Sequence, residues 1–494
     1  MSPTPPEGLG RSSSDLPFVF LLLAAAAFAL LWGLGAGSLA AWDEAIYAQV
    51  SKEAAQTGDW LTPHWGYRPW FEKPPLFMWV TALFYRLFGV GEFWARAPSA
   101  LSGVALVGVT YLVGEQTSGR RAGLLAGAVL LTCYHFLSFS RFGTTDVMLT
   151  LFTYVAVYAY LRSGEGGGRW WYLVWASWGL ALMANGAGGL VAPAAVALAL
   201  AFDRRLGGAL RSGSFWRGVA LGLLVAAPWH VLMSAWYGRG FLEEYLGYHV
   251  FARTTRTLEG QPSGYLYYVG VLVDGFFPWC LLAPFALVSA VRGSLRDRAR
   301  SWVLPTLCAL VFGAYTLIPT RRPWYVVPLY PALAVLVAAF AVNLFQRQRA
   351  RPIRRRLVAA ACAALVALGG VYGAASLSLN RRPEEPAVRL SRLARGEGPG
   401  DRDPLVVLHG VEPAYAQVPL FYSDRPVRQA YVKAKPAGED ARRYVNFEKL
   451  SDVAGAAEQR IILRREDIEP LSADYSIRTI AVDGPLAYAA IRRR

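Results

Sequence analysis

The stretch "PPLFMWVTALFYRLFG", Pro74–Gly89, decides how the rest of the chain is read. Its 16 residues are apolar enough to suggest a membrane crossing but fall short of the roughly twenty that a spanning helix needs. Counted as a crossing, it would reverse the side of every later loop. Read as a helix lying on the outer leaflet, with Trp79, Phe84 and Tyr85 as interface anchors, it leaves the arginine clusters on the cytoplasmic side, where loop cations belong.

The runs on either side support the second reading. Candidate spans lie at about 16–41, 93–115, 122–140, 146–162, 170–186, 188–202, 216–236, 264–291, 302–318, 323–345 and 357–379. With the N-terminus inside, alternate loops hold Arg120 and Arg121; Arg162 and Arg169; Arg204, Arg205, Arg211 and Arg217; Arg292, Arg296, Arg298 and Arg300; and the cluster from Arg347 to Arg356. The composition agrees: 54% of the 494 residues are hydrophobic and 17% charged, which fits a polytopic membrane protein better than a soluble enzyme. The net charge of +16 comes from these short loops, so nucleic acid is not the expected partner. Cys133, Cys280, Cys308 and Cys362 sit in apolar runs without metal-ligand spacing and read as buried small hydrophobes.

Three regions are expected. Residues 1–15 form a disordered cytoplasmic tail, and 16–379 a transmembrane catalytic domain of about 11 helices with interfacial helices, whose first outer loop covers 42–92. Residues 380–494 form a small extracytoplasmic α/β domain, because strand-like runs such as "PLVVLHG", "RIILRRE" and "IRTIAVDG" alternate with turn residues. The first apolar run reads as an uncleaved helix rather than a signal peptide, and the whole as a multi-pass protein of a bacterial inner membrane.

This topology gathers charges and aromatics on the outer side. The first outer loop carries Asp43, Glu44, Tyr47, Glu72 and Lys73, and Asp146 stands at the outer start of the fourth span, where it suits an N-terminal cap as well as a site. His249 and Arg253 lie one helical turn apart in the loop after the seventh span, and "IPTRRPWYVVPLYP" supplies Arg322 and Tyr325. Asp274, in "VLVDGFFPW", is an ionisable residue inside a span and receives no role. Transfer of a sugar from a phosphate leaving group needs a base for the acceptor hydroxyl and cations for the departing phosphate. Asp43 suits the first role; Lys73, Arg253 and Arg322 suit the second. No nucleotide pool exists outside the cytoplasmic membrane, so a donor used there is a lipid-linked sugar.

The segments "WDEAIYAQVSKEAAQTGDWLTPHW", "FEKPPLFMW", "SRFGTTDVMLTLF", "YHVFAR" and "RRPWYVVPLYPALA" together resemble the aminoarabinose transferases of lipid A and, more distantly, the protein O-mannosyltransferases, both GT-C glycosyltransferases. The resemblance covers about Leu16 to Phe345. It implies a polyprenyl-phosphate sugar donor, a glycolipid, protein or cell-envelope glycan acceptor, and transfer with inversion. It also implies Asp43 as base or acceptor-orienting residue and Lys73 on the carrier phosphate with Arg253 and Tyr325 lining the same cavity; from its position Asp146 joins the catalytic set, and Arg322 joins the phosphate-binding one. Glu44 and Tyr47 would be further cavity residues. Glu72 and His249 would be able to hold a divalent ion, the one cofactor the resemblance suggests.

The chain also departs from that pattern. Asn185, in "MANGAGG", stands where many relatives carry the Lys of Lys-Gly-Pro, and Arg322 stands where a Lys precedes Pro-x-Tyr. The rival function is a transporter or flippase of a lipid-linked or anionic solute, which ordinarily shows broken helices and internal repeats.

Overall fold

The computed structural model describes residues 16–164, 168–257, 264–297, 301–348, 350–381, 384–395, 403–409, 411, 417–432, 447–455 and 457–494. The tail expected over 1–15 lies outside them. Helix α1 (Leu16–Leu31) is followed by a turn and then α2 (Asp43–Thr57), which ends at Gly58 in the left-handed conformation, its N–H bonded to the carbonyl of Ala54. A two-stranded hairpin, β1 (His64–Trp65) and β2 (Arg68–Pro69), leads to α3 (Leu76–Phe88). At 13 residues α3 is too short to cross a bilayer, and it packs against α2 and against α4 (Glu92–Ser118).

The helical body continues with α5 (Arg120–Leu131), α6 (Tyr134–Ser140), α7 (Asp146–Arg162), α8 (Arg169–Asn185), α9 (Val191–Phe202), α10 (Leu206–Leu210) and α11 (Gly213–Leu242). The last of these runs into a π-helical segment, Glu243–Ala252. Many of these helices turn large apolar side chains outward: Phe18, Phe20 and Leu21 on α1, Leu224 and Val231 on α11, and Ile353, Leu357 and Val371 on the later helix Pro352–Ala374. Such a surface is stable only against hydrocarbon, and the chain is a multi-pass membrane protein.

Small residues set how closely the helices approach. A Cβ added at Gly218 of α11 would lie 2.6 Å from the carbonyl oxygen of Trp171 on α8, so these two helices meet backbone to backbone.

Among the described residues, five helical stretches are long and apolar enough to cross a membrane, or six if one bent pair counts as one crossing. The span expected over 122–140 is that pair: α5 and α6 meet at 68° around Thr132 and Cys133. The spans expected at 170–186 and 188–202 form one helical stretch, Arg169–Phe202. The run expected over 264–291 is divided into Tyr267–Gly275, a short 3₁₀ turn and Ala283–Arg296, with a cis bond between Phe277 and Pro278.

Beyond the helices, six strands form one sheet: β3 (Leu405–Leu408), β4 (Val427–Tyr431), β5 (Phe447–Lys449), β6 (Gln459–Arg464), β7 (Tyr475–Asp483) and β8 (Leu486–Arg493), in the order β5-β4-β3-β6-β8-β7. The β3, β4, β5 and β6 pairings are parallel, and β8 lies antiparallel to β6 and β7. Strand β3 is a continuous buried apolar run and β6 has a buried apolar centre, Ile461, Ile462 and Leu463, as expected of strands covered on both faces. Their hydrophobic core is continuous with Leu39, Ala45 and Ala48, so the sheet unit packs on the start of α2.

Candidate active site

Asp146 begins α7, where the helix N-terminus favours a carboxylate, and Asn185 ends α8, where Gly186 turns the backbone away with φ 74°. The two ends are adjacent. The Asn185 side-chain amide donates to Thr145 Oγ1 at 2.6 Å and to Asp146 Oδ1 at 3.3 Å, while its oxygen accepts from Lys73 Nζ at 2.9 Å. Lys73 is thereby held over the N-terminus of α7 through a neutral bridge. Its burial pushes the ammonium pKa down; Asp146, Asp43 and Glu72 pull it up, against a further lowering by Arg253.

The π-helical segment after α11 supplies the facing wall. The Glu244 carboxylate accepts from the N–H of Phe71 at 2.9 Å and so fixes the strand of chain that carries Glu72 and Lys73. His249 Nε2 comes within 3.8 Å of Glu72 Oε2, and Arg253 Nη1 donates to the Tyr325 hydroxyl at 3.1 Å. These groups line a cavity of about 380 Å³. Glu72, Lys73, Asp146, Asn185, His249, Arg253 and Tyr325 supply its polar wall, and Leu149, Leu190, Val191 and Leu310 belong to its apolar one. An anion joined to an apolar chain suits such a lining.

The other expected residues have different places. Asp43 is half-buried at the first position of α2 and lies outside the cavity lining, yet its charge is felt at Lys73 and at Tyr47. Tyr47, one turn on, is not in the lining either: it is buried edge-on against Trp70 and Phe77, and burial, with Asp43 beside it, raises its phenol pKa well above the ordinary value. Arg322 is absent from the lining, and its guanidinium lies 5.6 Å from the ring of Trp324, a lining residue.

Glu44 lies outside the cavity lining as well. Its carboxylate is 3% exposed, accepts from Arg96 Nε at 2.8 Å, from the N–H of Gly143 at 2.8 Å and from the N–H of Ala40 at 2.6 Å. Arg96, equally buried, also donates to the carbonyls of Leu34, Ala36, Gly37 and Ser38. Together the pair organises the turn that precedes Asp43. Among the described residues no group of three or more His, Cys, Asp or Glu side chains is placed to hold a metal ion. Glu72 and His249 on their own offer two ligands, where zinc sites ordinarily use three or four.

Sequence reasoning missed Glu244 and the bridging role of Asn185. The second had a visible signal, its position where a lysine was expected; the first had none, since a carboxylate in "FLEEYLGYH" reads as a solvated face.

Residues 72–232, under half of the chain, match the family model of dolichyl-phosphate-mannose-protein mannosyltransferases. The undecaprenyl phosphate-alpha-4-amino-4-deoxy-L-arabinose arabinosyl transferase of Erwinia tasmaniensis is 26% identical over 310 residues, 61% of this chain and 55% of that protein. An enzyme of the same name from Pseudomonas fluorescens is 28% identical over 362 residues, 71% of this chain and 61% of that protein. The chain thus matches less than two thirds of the length of these curated relatives. Among solved structures, ArnT from Cupriavidus metallidurans bound to undecaprenyl phosphate superposes with a TM-score of 0.78 at 21% identity, covering 97% of this chain and 98% of that one. The Archaeoglobus fulgidus oligosaccharyltransferase superposes with a TM-score of 0.59 at 12% identity over 85% of this chain and 65% of that one. The fold is that of the GT-C membrane glycosyltransferases, and in sequence the chain is similar to aminoarabinose transferases and, over residues 72–232, to the protein mannosyltransferase model.

Proposed function

We propose that this protein transfers a monosaccharide, with inversion, from a polyprenyl-phosphate-linked donor to an extracytoplasmic acceptor, a lipid A-like glycolipid, a protein or a cell-envelope glycan. The observation that carries the reading is the approach of Lys73, Asn185, Asp146, Arg253 and Tyr325 around one cavity with an apolar wall. The relatives named for undecaprenyl phosphate support the donor class.

In the reaction, the bond between the anomeric carbon and the phosphate oxygen breaks as the acceptor oxygen attacks from the opposite face. Lys73 and Arg253 hold the phosphate as its charge grows, and Asp43 takes the acceptor proton or orients the hydroxyl. Tyr325 fixes the Arg253 guanidinium, and Arg322 completes the cationic rim. The site opens on the extracytoplasmic side of a bacterial inner membrane, with the N-terminus cytoplasmic and the sheet unit outside.

The test is reconstitution with a radiolabelled polyprenyl-phosphate sugar and candidate acceptors, comparing the natural protein with Asp43→Asn and Lys73→Ala. Both variants are expected to lose transfer, and undiminished transfer in both would sink the assigned roles. The transporter reading draws on the breaks at Thr132–Cys133 and around Pro278, which meet where Trp279 Nε1 donates to Thr132 Oγ1 at 2.9 Å. Solute flux into proteoliposomes without glycosyl transfer would favour it.

A further inference from the structure

The sheet unit grips the chain at two points on either side of Asp43, one in the turn before α2 and one on α2 itself. The N–H of Leu39, four residues before Asp43, donates to the hydroxyl of Tyr422 at 2.8 Å, across 383 positions of sequence. That hydroxyl in turn donates to Glu92 Oε1 at 3.2 Å, and Glu92 is paired with Arg392 at 2.6 Å, whose guanidinium lies 4.8 Å from the Tyr422 ring. Two and a half turns beyond Asp43, Lys52 reaches back into the same unit. Its Nζ donates to the carbonyl of Phe421 at 2.6 Å, is paired with Asp424, and lies 5.0 Å from the Phe421 ring. Its side chain is 5% exposed, and Asp424 is shared with Arg395 at 2.6 Å.

The backbone at both contacts is unusual. Trp42, immediately before Asp43, has φ 71°, and Asp424 has φ 55°. Asp visits this left-handed region with some ease, but a residue as bulky as Trp stays there only when its surroundings hold it. At Trp42 those surroundings are the Arg96–Glu44 turn on one side and the Tyr422 hydroxyl on the other.

A helix fixed at one end pivots about it, whereas one fixed at both ends keeps its axial and rotational setting. Lys52 lies about 14 Å along the axis from Asp43 at 1.5 Å per residue, so the two attachments bracket that carboxylate. We propose that Tyr422 and the Lys52–Asp424 pair are positioning residues through which the sheet unit sets Asp43 against the donor cavity. The proposal rests on the transfer reading above and assigns the sheet unit a part in the acceptor half of the reaction.

Tyr422→Phe removes one hydroxyl and keeps the ring; Lys52→Met removes the charge and keeps the stem. Each is expected to lower kcat at least tenfold, while KM for the polyprenyl-phosphate sugar and binding of undecaprenyl phosphate stay within twofold of the natural protein. Lys52→Arg is expected to restore part of the kcat. Wild-type kcat in both variants, or a parallel loss of kcat and donor binding, would overturn the proposal. A readout independent of catalysis follows Asp43→Cys in a background whose four native cysteines are replaced by alanine. Labelling of that thiol by a water-soluble maleimide should change at least fivefold when Tyr422→Phe or Lys52→Met is added, and an unchanged rate would overturn the positioning role. If the natural protein shows no transfer with any donor but the labelling rate still changes, the positioning stands and the transfer reading falls.

Discussion

The Lys73 ammonium rests against the Asn185 amide oxygen at 2.9 Å, and the same amide donates to Asp146 at 3.3 Å, so a neutral side chain separates the half-buried ammonium from the buried carboxylate. Direct contact would leave Lys73 neutralised by Asp146. The amide between them keeps the ammonium oriented while its charge stays available to a phosphate.

Asn185→Ala is expected to weaken donor binding. A hydrogen bond to a charged group is worth about 1.5–3 kcal/mol, which corresponds to roughly a tenfold to hundredfold rise in Kd. Titration of the purified variant with undecaprenyl phosphate checks this, and an unchanged affinity would show that Lys73 needs no bridge.

The Lys73 ammonium also predicts a pH dependence. Because Lys73 titrates below the ordinary lysine value of 10.5, its charge is lost as pH rises through that lowered value, and phosphate binding should fall with it. Between the lowered value and 10.5 the unfolded chain binds more protons at this position than the folded one, so this residue's contribution to stability rises with pH over the same window. Activity and stability are therefore expected to part company on the alkaline side. In Lys73→Arg, whose guanidinium does not titrate there, the alkaline fall in donor affinity should disappear even if affinity is lower overall.

Glu44 and Asp43 are adjacent but should fail in different ways. Removing one member of the buried Glu44–Arg96 pair leaves an uncompensated charge, at a cost of about 3–5 kcal/mol. Arg96→Ala and Glu44→Gln are expected to lower the thermal midpoint and the yield of folded protein. Asp43→Asn should keep both and lose transfer, which melting curves recorded beside the assay would separate.

At the far side of the cavity, Tyr325→Phe removes one partner of Arg253 and should raise donor KM roughly tenfold or more, consistent with about 1.5–3 kcal/mol for a hydrogen bond to a charged group. Arg253→Lys should be worse than that, since a single ammonium cannot take both the phosphate and the phenol in the geometry a planar guanidinium offers. Steady-state kinetics on both variants decide the order.

The approach of the site residues was legible in part. Lys73 could be read before its Pro-Pro pair, and Arg253 and Tyr325 could be read from their motifs, because loop position and charge identify them without tertiary detail. Asp43 and Glu44 could be given different roles from their motif, but the inward pairing of Glu44 was not legible, since its partner Arg96 lies 52 positions away. The bend between α5 and α6 was also invisible: Thr132 and Cys133 contain neither Pro nor Gly, and a hydropathy run reports composition, not direction. The break after Gly275 did carry its signals, a glycine and Pro278, which the apolar length of the run outweighed.

The glycine contact between α8 and α11 has a consequence for affinity. Asn185 ends one of these helices, and the other leads into the segment bearing His249 and Arg253. Their backbones are in contact at Gly218, and the kink at Gly238 then redirects the second helix toward the segment on the facing wall of the cavity. The entropy of bringing these groups together is then met largely during folding, so a lipid phosphate, the donor proposed above, meets a preorganised seat and keeps more of its binding energy for the reaction.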